Sequence, residues 1–158
     1  MICDALKDKL IQQIGHEMTA SQQYLAIAGY FESQSLSGFG EFFYAQSEEE
    51  RGHGMKIFKF LLDAGITPSL PQVSESSLNF SSAESAVAKA LEWERSVTQQ
   101  FRDMADIALQ NKDYVGFQFL QWFLEEQIEE ESLMTQVLDL IKSGINLFQA
   151  QALLPKHE

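Results

Sequence analysis

The 158-residue sequence predicts an all-α fold. It reads as a bundle of four long helices with one long crossover between the second and third, and a short fifth helix at the end. Three observations carry this. The three prolines stand at positions 68, 71 and 155, and none interrupts a periodic segment. Apolar residues recur at three- and four-residue steps through four separate stretches. One stretch between the second and third of these has no period and is longer than most loops in compact domains.

The first helix is expected from residue 4 to 35, with a buried seam of Leu6, Leu10, Ile14, Glu17, Tyr24, Ala28 and Phe31. Ser37, Gly38 and Gly40 mark the turn or the opening of the second helix, 37–64, whose stripe is Phe39, Phe43, Glu50, His53, Ile57, Phe60 and Ala64. Gly65 is placed as its C-terminal stop. Residues 66–80 are rich in Ser, Pro and Asn. Extended, such a segment reaches about 50 Å, against about 42 Å for a 28-residue helix, so it can run the length of a bundle and make the second and third helices parallel. The plainer alternative is a floppy surface hairpin. Ser81-Ser82-Ala83-Glu84 resembles a capping box that opens a third helix, 82–110, with Ser81 and Glu84 meeting the end amides. Its seam is Ala83, Val87, Ala90, Glu94, Val97, Phe101, Met104 and Ala108, and Asn111-Lys112-Asp113 ends it. The fourth helix, 113–143, carries Leu120, Phe123, Gln127, Glu130, Met134, Val137 and Ile141. The last segment, 146–154, is too short to be stable alone and must pack on its own bundle or on a neighbouring subunit. Residues 1–158 are expected to form a single domain.

Composition narrows the function classes. With 23 acidic and 11 basic residues the net charge is −12, which disfavours nucleic acid and anionic membranes as partners and favours cations. No apolar run approaches the roughly 20 residues of a membrane span. The opening Met1-Ile2-Cys3-Asp4 lacks the basic and apolar regions of a secretory signal, so a cytoplasmic location is expected. Cys3 is the single cysteine, which excludes an internal disulfide, a CxxC metal site and an iron–sulfur cluster. Any metal must use carboxylate and imidazole.

Each of the four seams is broken near mid-length by a polar residue: Glu17, then Glu50 with His53, then Glu94, then Gln127 with Glu130. Residues at mid-length meet at one level whichever way the helices point. Acidic runs such as Glu48-Glu49-Glu50 are ordinarily solvated helix faces, and a metal-free bundle with incidental glutamates is the plain alternative. Their register with the core argues otherwise. Burying an unpaired carboxylate costs several kcal/mol, and no Lys or Arg shares these seam positions. Two divalent cations would balance four carboxylates, and an oxygen set with one imidazole suits iron or manganese better than structural zinc.

Glu17 with Tyr24 seven residues on, Glu49-Glu50-Arg51-Gly52-His53, Glu94, and the run Gln121 to Glu131 around Gln127 and Glu130 resemble the haem-free bacterial ferritins over nearly the whole chain. The resemblance implies a ferritin-like fold and an iron store with a ferroxidase centre. By it, Glu17, Glu50 and His53 would hold the first iron, and Glu50 would also bridge to a second held by Glu94, Gln127 and Glu130. Glu49, Glu126 and Glu129, with Glu130, match a third iron site. Tyr24, if not merely a core tyrosine with a tethered hydroxyl, would serve the oxidation by giving an electron or a hydrogen bond; Glu50 and Glu130 would take part in it. The oxidant would be dioxygen or hydrogen peroxide, and the assembly a hollow shell of twenty-four subunits whose four-fold openings the fifth helix lines. Bacterioferritins carry Glu-x-x-His on the fourth helix and a methionine after the second-helix glutamate. This chain has Gln127-x-x-Glu130 and Arg51, so no haem is expected. The alternative reading is a di-iron or di-manganese peroxidase or oxidase on the same bundle, without storage. Trp122 is read as packing or site-related in equal measure, and His16 as a solvated or interface histidine rather than a ligand. Gly52 and Gly54 mark close helix approach or iron access.

Overall fold

The computed structural model describes residues 1–76 and 79–157. Among them the chain forms five α-helices and no strand: α1 Asp4–Ser33, α2 Ser37–Asp63, α3 Ala83–Gln110, α4 Tyr114–Lys142 and α5 Leu147–Ala150, the last continued by a 3-10 turn at Gln151–Leu153. The long helices end within two residues of the expected positions, and the differences have local causes. α1 stops two residues early because Ser35 adopts a left-handed φ of 61°, and Leu36 N–H donates back to the Phe31 carbonyl at 2.9 Å. This places the Leu36 side chain in the core, the hydrophobic contact that stabilises such a stop without a glycine. The same motif closes α2, where Gly65 sits at φ 82° and Ile66 N–H reaches the Leu61 carbonyl at 2.9 Å. At the start of α3 the capping box lies one residue later than expected. Ser82, not Ser81, accepts from Ser85 N–H at 3.0 Å, and the Ser85 hydroxyl rather than Glu84 returns the bond to Ser82 N–H at 3.1 Å. A serine can close the box because only one hydroxyl must reach back across a single turn.

Two apolar cores set the helix directions. One gathers the end of α1 (Ile27, Phe31), the start of α2 (Phe39, Phe43), the start of α3 (Ala86, Val87) and the end of α4 (Met134, Val137). The other gathers the start of α1 (Leu6, Leu10), the end of α2 (Ile57, Leu61), the end of α3 (Phe101, Met104) and the start of α4 (Leu120, Phe123). Hence α2 runs parallel to α3, and the 66–80 segment crosses the length of the bundle, as expected. It climbs along α1: Pro71 lies against Gly15, Ser74 N–H donates to Thr19 Oγ1 at 3.2 Å, and the Phe80 ring meets Tyr30 at 5.9 Å. Positions 77 and 78 of the crossover lie outside the described residues. In α2 the expected stripe drifts by one position. Phe60 and Ala64 are half-buried and Leu61 takes the core place, because a straight 3.6-residue helix rotates slowly relative to a fixed seven-residue repeat.

Aromatic packing secures the first core, with Phe31 stacked on Phe39 at 4.7 Å and on Phe43 at 5.5 Å. Asp113 links the other end to the chain start: one carboxylate oxygen caps α4 at Gly116 N–H, 2.8 Å, and the other accepts Cys3 N–H at 2.9 Å. The fifth segment packs on its own bundle. Ala150 is buried in the first core, and Gln151 Oε1 accepts the Gly38 and Phe39 amides that open α2. Between the two cores lies a slab of polar side chains.

Candidate metal centre

Glu17, Glu50, His53, Glu94, Gln127 and Glu130 meet in this slab, each between 0% and 5% exposed. Every long helix contributes, and each does so where its seam passes from one core to the other. The close approach of α2 to α1 needs Gly54, whose absent side chain leaves room for Met18 and the Glu17 Cβ. Gly52 faces open space, so the two glycines have different causes.

Two groups of donors share Glu50. Glu17, Glu50 and His53 offer three ligand atoms within 4.8 Å of one another, and Glu50, Glu94 and Glu130 offer another three. Ligands facing each other across one ion with bonds of about 2.1 Å stand about 4.2 Å apart, so both sets are compact enough to hold a cation. His53 Nδ1 lies 3.3 Å from Glu50 Oε2 and 3.7 Å from Glu17 Oε2. Neither His53 Nδ1 nor Glu17 Oε2 has a hydrogen-bond partner, although both are buried. Unpartnered polar atoms at this depth are costly, and a cation between them would satisfy both. The donor set therefore fits a pair of hard divalent ions.

The remaining lone pairs are organised by amides and hydroxyls. Gln13 Nε2 donates to Glu17 Oε1 at 3.2 Å, and Gln46 Nε2 to Glu50 Oε1 at 3.2 Å. Gln46 Nε2 also donates to Glu130 Oε2 in a short contact. Tyr24, fully buried, donates its hydroxyl to Glu94 Oε1 at 2.7 Å. Gln127 Nε2 donates to Glu94 Oε2 at 3.1 Å and to the Glu94 carbonyl at 3.1 Å, which leaves Gln127 Oε1 as the lone-pair donor of that side chain. Sequence reasoning missed Gln13 and Gln46. A signal existed: each stands four residues before a seam glutamate, so the amide and carboxylate share one helix face.

Electrostatics of the cation-free pocket favour protons. Burial, followed by the charges of Glu94 and Glu17, holds the Glu50 carboxyl well above the usual carboxylate range. Burial also raises Glu94, with the Tyr24 hydrogen bond opposing it. Burial, with the charges of Glu94 and Glu49, pushes Glu130 up to about 10. For Glu17 burial acts upward too, but its interactions with His53, Glu50 and Gln13 prevail and lower it. Burial pulls His53 down while Glu17, Glu126 and Glu94 pull it up more strongly. Burial, then the Glu94, Glu50 and Glu130 charges, keeps the Tyr24 hydroxyl protonated. No Lys or Arg is buried among the described residues, so the compensating charge must arrive from outside.

Glu49, Glu126 and Glu129 stand beside this pocket. With Glu130 they line a cavity of about 450 Å³, whose other walls include Ile128, Leu133, Pro155 and His157. His53 Nε2 faces this side, 3.9 Å from Glu126 Oε1, and His53, Glu126 and Glu130 form a further compact donor group. Trp122 packs edge-on against His53 at 5.6 Å, with Lys56 Nζ 3.3 Å from its ring centre; the half-open ring thus shields the histidine. His16 is exposed and off the seam, within 3.3 Å of Gln13 Oε1.

Residues 7–143 match the family model "Ferritin", described as the Ferritin-like domain. The chain belongs to this family. It is 42% identical over 144 residues to Ferritin BfrB of Mycolicibacterium smegmatis, spanning 90% of this chain and 80% of that protein. To the Bacterial non-heme ferritin of Staphylococcus aureus it is 40% identical over 133 residues, 84% of this chain and 80% of that one. Its fold superposes on the open pore ferritin of the archaeon Archaeoglobus fulgidus with a TM-score of 0.93 at 30% identity, covering 99% of this chain and all of the other. Family and fold make iron storage the function class of this ferritin, and its buried carboxylates are of the kind that can form a di-iron site.

Proposed function

We propose that this ferritin oxidises Fe(II) to Fe(III) in the mid-bundle pocket and passes the product to a mineral held inside a self-assembled shell of twenty-four subunits. Glu17, Glu50 and His53 hold one Fe(II) and Glu94, Gln127 and Glu130 a second, with Glu50 shared. Each iron gives up one electron, and the pair reduces one dioxygen to hydrogen peroxide with two protons, or one peroxide to water. Hard anionic oxygens stabilise Fe(III) over Fe(II), which lowers the barrier to electron loss. The protein's own part is to exclude water, fix the carboxylates and manage protons. Protons held on Glu50, Glu94 and Glu130 leave as cations enter, and Tyr24 keeps its hydroxyl proton on Glu94 throughout. Glu49, Glu126 and Glu129, with Glu130, hold a third iron on the way out through the adjoining cavity. No haem takes part, and a cytoplasmic setting goes with this reading.

The observation that carries the proposal is a pair of buried atoms that make no hydrogen bond, Glu17 Oε2 and His53 Nδ1, 3.7 Å apart. In aerobic Fe(II) oxidation followed by the absorbance of ferric products, Glu50→Ala and His53→Ala are expected to slow the first turnover on the order of 10–100-fold. Unchanged rates in both variants would sink the reading. Loading of many more irons than three per chain separates storage from a turnover enzyme on the same ligands.

A further inference from the structure

We propose that His157 is a positioning residue for the Glu50 and Glu130 carboxylates, acting through Gln46; this rests on the dinuclear reading above. Gln46 is fully buried, and its one amide nitrogen serves both carboxylates, Glu50 Oε1 at 3.2 Å and Glu130 Oε2 in a short bond. A glutamine amide turned the other way would set its oxygen against two carboxylate oxygens. Its orientation therefore matters, and the group on its far side decides it. That group is His157, whose Nε2 lies 3.0 Å from Gln46 Oε1. Because Gln46 Oε1 can only accept, His157 Nε2 carries the proton and donates.

The imidazole is itself held in place. It lies on the Phe42 ring at 4.4 Å, tilted by 34°, and it forms part of the wall of the cavity beside Glu49 and Glu126. Pro155, two residues before it, fixes one backbone angle of the segment that brings it there. The chain His157, Gln46, then Glu50 and Glu130 thus runs from the cavity wall to the carboxylate shared by both candidate ion positions. Without the imidazole, the Gln46 amide is free to rotate and no longer ties the Glu50 and Glu130 side chains together, and the second ion position loses its preset spacing. The first position shares Glu50 but is held as well by Glu17 and His53, with Gln13 donating to Glu17, and His157 touches none of these three, so it loses less.

The test is anaerobic titration of the metal-free, assembled protein with Co(II), whose visible absorption reports each ion as it binds. Wild type is expected to take up two tightly bound ions per chain. His157→Ala is expected to weaken the second ion about tenfold, the lower end of what losing an outer partner of a metal ligand costs, and to leave the first within about twofold. His157→Gln, which keeps an amide N–H donor at similar reach, is expected to restore most of the second-ion affinity. Lys156→Ala, on the same segment, is expected to match wild type. Equal second-ion affinity in His157→Ala and wild type would overturn the proposal. So would equal weakening in His157→Ala and Lys156→Ala, which would indicate loose packing of the segment rather than a role for the imidazole. Uptake of fewer than two ions by wild type would instead overturn the dinuclear reading, and this inference with it. Thermal melts of each variant establish that the bundle has folded.

Discussion

At the scale of single residues, the pocket is a contest between burial and charge that protons settle in the absence of metal. Glu50, Glu94 and Glu130 are raised, so they bind more protons folded than unfolded above about pH 5, and His53, also raised, does so above its ordinary value near 6.5. Their contribution to stability is present at low pH and is lost as pH rises through the raised values. Glu17 is lowered, so its contribution is complete above the usual carboxylate range and is lost only on acidification. Between about pH 5.5 and 8.5 the four raised groups are opposed only by His157, which burial lowers, so the raised groups set the direction. The metal-free protein is therefore expected to melt at least about 3 °C lower at the alkaline end, corresponding to about 1 kcal/mol for a chain of this size. Co(II) should reverse the trend, because deprotonated carboxylates bind it best. Calorimetry at several pH values, with and without Co(II), checks both; a metal-free melting temperature that rises with pH would refute the burial argument. Tyr24→Phe removes the donor to Glu94 and is expected to cost about 1–2 kcal/mol of stability. It should leave two-ion Co(II) binding intact while slowing Fe(II) oxidation several-fold, as read by stopped-flow absorbance. An unchanged oxidation rate would return Tyr24 to a core role.

At the scale of elements, the two glycines beside His53 predict opposite outcomes. A side chain at Gly52 meets nothing within 4 Å, so Gly52→Ala removes only the entropic cost of glycine in a helix and is expected to stabilise by about 1 kcal/mol with oxidation unchanged. Slower oxidation in this variant would assign Gly52 to iron access. At Gly54 the new Cβ would sit 2.9 Å from the Met18 methyl and 3.5 Å from the Glu17 Cβ. Gly54→Val adds branches there, pushes α1 away and shifts Glu17, so both melting temperature and oxidation rate are expected to fall. The same elements show what could be read from sequence. Every residue of the expected α1 and α3 seams is buried, because burial on one face imposes a period on every turn, though the buried faces are wider and also take in Gln13, Ile27, Ala86 and Leu91. The parallel course of α2 and α3 was legible too, because only a long crossover permits it. The end of α1 was not, since Ser35 takes a left-handed conformation that glycine would have announced, and it is the packing of Leu36 that holds it there. The six mid-seam residues stood out as polar breaks in an apolar pattern. Gln46 did not, because it lies one turn before the mid-length level at which the polar breaks meet, although it shares a helix face with Glu50. The His157 to Gln46 contact spans 111 positions, and no local pattern encodes a meeting of that range.

At the scale of the whole molecule, one subunit leaves apolar surface that its own bundle does not use. Phe148 and Leu153, on the short fifth segment, are 59% and 61% exposed, while Ala150 and Gln151 between them anchor that segment to the bundle. Holding apolar side chains in water on a firmly docked element is a feature of surfaces that another chain covers. Burying one such ring recovers about 25 cal/mol per Å², roughly 2 kcal/mol per phenylalanine. In a closed shell every subunit repeats the contact, so a small change per copy acts on the assembly many times over. Phe148→Glu replaces that gain with a buried carboxylate and adds a negative charge to a chain already at −12, so like charges would crowd together wherever copies meet. The variant is expected to keep its helical content and its two-ion Co(II) binding, both properties of one bundle, and to elute from gel filtration as smaller species than wild type. Storage should fail with the enclosure: a first oxidative turnover near the wild-type rate, followed by ferric iron that precipitates rather than remaining in solution with the protein. An unchanged elution volume in Phe148→Glu would place the fifth segment away from the contacts between subunits.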